Sequence, residues 1–93
     1  MTRRACRKDI NHDEIRDAFR ALGWHWVDTY QVAQYQPGFP DGLACRRGTV
    51  LFVEIKAKGA TLTEDEARFR DMINRYADYL VVRSVNDVIA WAK

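Results

Sequence analysis

The stretch Gly38–Gly59, GFPDGLACRRGTVLFVEIKAKG, decides how this chain folds. It holds two extended runs, Asp41 to Arg46 and Thr49 to about Lys56, separated by a turn at Arg47-Gly48. A two-residue turn there, or a four-residue loop from Arg46 to Thr49, sets the same register, one that brings Asp41 opposite Glu54. A three-residue loop breaks that pairing. Along the second run, side chains alternate, so Val50, Phe52, Glu54 and Lys56 share one face while Leu51, Val53 and Ile55 share the other. A strand apolar on both sides is central and covered, which places Glu54 and Lys56 partly out of water near its end. Directly opposed residues have Cβ atoms about 4.5–5.5 Å apart. Two carboxylates roughly 5 Å apart repel by roughly 3 kcal/mol at an effective dielectric of about 20. A cation reverses that sign, and a small cluster of oxygen donors suits a hard divalent ion such as Mg²⁺. Read singly, Glu54 and Lys56 are an edge pair pointing into water. Read with Asp41 and the apolar positions around them, they are a candidate site.

Working outward, Asn11 followed by Glu14 has the capping-box spacing, and Ile15, Phe19 and Leu22 recur at helical spacing before Gly23, giving a helix over about 11–22. Trp24, Trp26, Val27, Tyr30 and Val32 suit a strand that ends before the Gln34 to Gly38 stretch. Beyond Gly59, Thr63 with Glu66 repeats the capping box, and Leu62, Phe69, Ile73 and Tyr76 mark a helix over about 63–76. Tyr79 to Val82 reads as a short buried strand, and Ser84 as the cap of a last helix through Val88, Ile89 and Trp91. The predicted order is α-β-β-β-α-β-α, a mixed β-sheet flanked by helices.

The 93 residues are expected to form a single domain over 1–93, with a basic arm at 1–9 that holds Arg3, Arg4, Arg7 and Lys8. At 47% hydrophobic and 30% charged, the composition excludes a disordered tail. No apolar run reaches the roughly 18 residues that span a bilayer, and the charged start has no apolar region behind it, so neither a membrane partner nor export is expected. Cys6 and Cys45 stand without a partner motif, which makes the reducing cytoplasm the default location and Cys45 strand filling. Net charge is only +2, but Arg46 with Arg47, and Arg68, Arg70 and Arg75, form local clusters able to receive phosphates. The same clusters also read as ordinary solvated faces. Trp24, Trp26 and Trp91 are expected in the core or an interface. Tyr35, Gln34 and Gln36 are expected to decorate a turn. His12 and His25 are isolated in sequence and are given no catalytic role.

At Pro40-Asp41 and Glu54-Ile55-Lys56 the chain resembles the PD-(D/E)XK nuclease superfamily. The fuller pattern is similar to the VRR-NUC family: Glu14 on the first helix, Gly38 before Pro40-Asp41, then Gly59, Leu62 and Thr63. The likeness covers roughly residues 11 to 82. Glu66 stands where that family usually has glutamine, and Lys58 where it has a small residue or proline. The resemblance implies a restriction-endonuclease-like fold and a metal-dependent phosphodiesterase that cuts DNA. By the same resemblance Asp41, Glu54 and the main-chain carbonyl of Ile55 hold Mg²⁺ or Mn²⁺, with Glu14 a further candidate for the metal shell. Lys56 then orients water and counters charge on the phosphorane. Glu14 reads equally well as a capping residue. Lys58, Arg47, Arg68 and Glu66 are the candidate DNA contacts. Analogy with short members of that family extends the expectation to four-way (Holliday) junctions, to a homodimer with one site per strand, and to a viral or mobile-element origin. The competing expectations are a DNA-binding module that does not cut, and an interaction subunit of a larger nuclease complex.

Overall fold

A computed structural model describes residues 11–92 of the chain. The basic arm at 1–9 and Cys6 lie outside the described residues. The elements are α1 (His12–Ala21), β1 (His25–Asp28), a 3₁₀ helix (Tyr30–Gln34), β2 (Gly42–Arg46), β3 (Thr49–Ile55), α2 (Glu64–Ile73), β4 (Asp78–Val82) and α3 (Val85–Ala92). The expected α-β-β-β-α-β-α order is borne out, and the sheet is mixed.

The hairpin closes with two residues. Arg47 and Gly48 have φ of 49° and 83°, both left-handed, as a type I′ turn requires. Arg46 therefore pairs with Thr49, and the ladder runs to Gly42 opposite Val53. One step further along the same register, Asp41 faces Glu54. The strand order is β1-β2-β3-β4, with β3 and β4 parallel and the other pairs antiparallel. A parallel pair needs a crossover, which α2 supplies.

Both faces of β3 are covered over its second half, whereas Val50 near its start is exposed. On one side Leu51, Val53 and Ile55 are fully buried against Ile15 and Phe19 of α1, Val88 and Ala92 of α3, and Trp24 and Trp26. Each such aliphatic side chain contributes about 1.5–3 kcal/mol on leaving water. On the other side Phe52 meets Phe39 and Phe69 at ring-centroid separations of 6.1 Å, which seats α2 over the strand. Gly38 makes that seat possible. Its φ is +87°, and a Cβ there would lie 2.2 Å from the Asp65 carbonyl oxygen in the first turn of α2.

Four local readings are corrected. The strand expected through Tyr30 and Val32 ends at Asp28, because its partner β2 begins only at Gly42. The chain then turns into the 3₁₀ helix, with the Thr29 N–H bonded to the Asp41 carbonyl at 2.9 Å. Asn11 makes no side-chain cap; its Nδ2 donates instead to the Arg83 carbonyl at 3.1 Å, tying α1 to the exit of β4. The helix expected over 63–76 stops at Ile73, and Tyr76 is exposed rather than part of its apolar face. His12 is not isolated: it is buried edge-on to the Trp26 and Tyr30 rings, with Nε2 2.7 Å from Asp28 Oδ1. Trp24 and Trp26 are core residues as expected, whereas Trp91 is half-exposed and tilted on Trp24.

Candidate active site

Asp41 sits on the segment that leads into β2, and hydrogen bonds on either side of it fix that segment. Thr29, itself buried, donates its hydroxyl to the Pro40 carbonyl at 2.8 Å and its N–H to the Asp41 carbonyl at 2.9 Å. The Asp41 side chain reaches across to β3, where Oδ2 accepts the Ile55 N–H at 2.7 Å. Pro40 offers no N–H of its own, so carbonyl acceptors are what this stretch presents to its neighbours.

Glu54 occupies the penultimate position of β3 and is 3% exposed. Its Oε1 is buried without a hydrogen-bond partner, and its Oε2 lies 3.9 Å from Lys56 Nζ. Burial, then the charges of Asp41 and Glu66 and a hydrogen-bonding contact with Asp41, push its pKa up to about 10, against a smaller opposing pull from Lys56. Two adjoining carboxyl groups with too little solvent to separate their charges must share a proton or a cation.

Lys56 extends from the end of β3 to Glu66 on α2, with Nζ 2.6 Å from Oε1. That same Oε1 accepts the Thr63 N–H at 2.8 Å, while Thr63 Oγ1 accepts the Glu66 N–H at 3.2 Å. The expected capping box at the second helix is thus present, and Glu66 serves both it and the lysine. Burial tends to lower the lysine pKa, but the hydrogen bond and charge of Glu66 outweigh it, so Lys56 is raised. Burial likewise tends to raise Glu66, but the hydrogen bonds from Lys56 and the Thr63 N–H hold it below its ordinary value. Lys56 and Glu66 therefore form a charged pair, while burial and the neighbouring acids favour the protonated form of Glu54.

Of the residues singled out from sequence, the structure brings together Asp41, Glu54, Lys56 and Glu66, with the Ile55 main chain between them. Glu14 and Lys58 are exposed and line a separate groove with Asn11, Arg83 and Asn86, beyond the exit of β3. Arg47 lies in the hairpin turn, at the opposite end of β2 and β3 from Asp41 and Glu54. Arg68 is exposed on α2 and paired with Glu64 at 2.7 Å and Asp65 at 3.1 Å. Sequence reading missed Thr29, whose role depends on a contact that local spacing does not announce.

Among the described residues, no three His, Cys, Asp or Glu side chains converge as a metal cluster. The donors that are present still fit a hard divalent ion: two adjoining carboxyl groups, one bearing an unpartnered buried oxygen, in a setting where added positive charge relieves repulsion.

Neither a family model nor a curated protein matches the sequence. A solved structure titled "VRR_NUC domain" resembles this fold with a TM-score of 0.69 and 25% sequence identity, over 87% of this chain and 91% of that one.

Proposed function

We propose, since this chain belongs to the VRR-NUC family, that it is a nuclease whose active centre is Asp41, Glu54 and Lys56, acting on DNA as a metal-dependent endonuclease. The observation that carries this reading is the buried Glu54 carboxyl group beside Asp41, its Oε1 unpartnered and its Oε2 3.9 Å from the Nζ of a protonated lysine. Asp41, Glu54 and the Ile55 carbonyl are the groups to hold Mg²⁺ or Mn²⁺. Bound there, the ion supplies Lewis-acid polarisation of a phosphodiester and lowers the pKa of water.

The chain's own residues do the rest. Asp41 is held by Thr29 and the Ile55 N–H, so its carboxylate is in place before substrate arrives. Lys56 offers a cation to the charge that develops on the phosphorane. Glu66 keeps that lysine protonated and anchored to the first turn of α2. Lys58, exposed just past the end of β3, is the candidate phosphate contact nearest the site in sequence. Contacts of this kind, to phosphate and sugar, give salt-dependent binding with little base preference. A branched substrate, such as a four-way junction, fits a homodimer that places one site on each strand.

The test is cleavage of labelled junction, flap, single-stranded and duplex DNA with Mg²⁺, with Mn²⁺ and with EDTA. Metal-dependent scission by wild type and none by Asp41→Ala is the expected result. Failure of wild type on every substrate, or equal cutting by the variant, rejects the reading. One observation favours a second reading. Lys56 is 1.3 Å closer to Glu66 than to Glu54, 2.6 Å against 3.9 Å, an arrangement suited to a module that binds DNA without cutting it. DNA binding that persists in EDTA without strand scission supports that alternative.

A further inference from the structure

Tyr79 is a polar residue of the catalytic face that neither sequence motif nor hydrogen bonding accounts for. It pairs in register with Phe52, two positions before Glu54, so its side chain stands on the side of the sheet that carries Glu54 and is covered by α2. Its hydroxyl oxygen is buried and without a partner, as is Oε1 of Glu54. Phenylalanine would fill the same space at lower cost, since an unmet buried hydroxyl opposes folding. An unmet buried group in a folded protein calls for a partner.

The register sets Tyr79 diagonally across from Glu54 on the neighbouring strand, within reach of a long side chain. Burial comes first, followed by the negative charges of Glu54, Glu66 and Asp41, in raising the phenol's pKa; Arg70 opposes them weakly. The group therefore stays protonated and acts as a donor. Glu54 Oε1 is an acceptor with two lone pairs, enough to serve a hydrogen bond and a cation together.

We propose that Tyr79 is a positioning residue of this active centre: its hydroxyl donates to a water that donates in turn to Oε1 of Glu54, fixing the carboxylate's orientation. This rests on the nuclease reading of Asp41 and Glu54 and deepens it. Carboxylates that bind metal are commonly oriented by a second hydrogen-bonded group, and loss of such a group weakens metal affinity by about 10- to 100-fold.

The experiment compares the full chain with its Tyr79→Phe variant by calorimetric titration with Mn²⁺, by thermal unfolding in EDTA, and by DNA cleavage. Expected for the variant is Mn²⁺ binding weakened about tenfold, with a thermal midpoint lowered by no more than about 5 °C, the loss of one water-bridged hydrogen bond. Cleavage at limiting Mn²⁺ falls in step and recovers when the ion is in excess. A purely packing role for the ring leaves Mn²⁺ affinity untouched, since phenylalanine keeps the ring. Wild type that binds Mn²⁺ and cuts DNA, with a variant of equal affinity, overturns the inference and leaves the nuclease reading standing. Wild type that neither binds Mn²⁺ nor cuts overturns both.

Discussion

Glu54 is a carboxyl group with almost no contact with water, and its protonation couples pH to folding. Its folded pKa of about 10 lies above the ordinary value of 4.5, so the folded chain binds a proton that the unfolded chain releases. The stabilisation is complete below the unfolded value and is lost as pH climbs through the folded one. In EDTA, the thermal midpoint is therefore expected to fall between about pH 5 and pH 9. Glu54→Gln, which keeps the shape without the ionisation, should flatten that slope while reducing cleavage at least about a hundredfold. A midpoint that does not move with pH, or moves equally in the variant, contradicts the assignment. Lys56 and Glu66 answer to the opposite logic, each already charged and held by the other. Glu66→Gln keeps an acceptor for Thr63 but removes the charge that anchors the lysine. The expected loss is about 1 kcal/mol by urea unfolding.

Among the elements, the entry to α2 matters most, because it meets both the loop that leads to Asp41 and the Lys56 side chain. Thr63 and Glu66 close that entry reciprocally, and Gly38 packs against its first turn. Thr63→Ala should cost about 1 kcal/mol as a lost cap. Gly38→Ala should cost more, about 2–4 kcal/mol, by adding a left-handed backbone penalty to a collision with the Asp65 carbonyl. Denaturant midpoints measure both; an alanine at 38 tolerated without loss would mean that the loop is not seated as described. Much of this scale was legible in the chain. The Arg47-Gly48 turn and period-two alternation together specified the hairpin register, hence the opposition of Asp41 and Glu54, because a one-residue slip would turn every side chain of β3 to the wrong face. The 3₁₀ segment Tyr30–Gln34 was not legible. Its aromatic and β-branched residues favour a strand, and only the late start of β2 denies them a partner.

For the whole molecule, the consequence of a shared carboxylate site is linkage between ion and fold. A divalent ion bound only by the folded chain stabilises it by about 2.7 kcal/mol at a hundredfold excess over Kd. Thermal midpoints with Mg²⁺ or Mn²⁺ against EDTA check this, with Asp41→Ala expected to show no such shift. What the sequence by itself determined is the order of elements, the central strand buried on both sides, and the facing pair Asp41 and Glu54. These follow from periodicity and turn chemistry, which act between residues close along the chain. Only the tertiary structure decided that Lys56 pairs with Glu66, that Thr29 holds the Pro40-Asp41 segment, and that His12 belongs to the core. It also decided that Asn11 ties α1 to the exit of β4. Those contacts join elements brought together by the parallel crossover and the packing of helices on the sheet, and a distance closed by folding leaves no mark in local spacing.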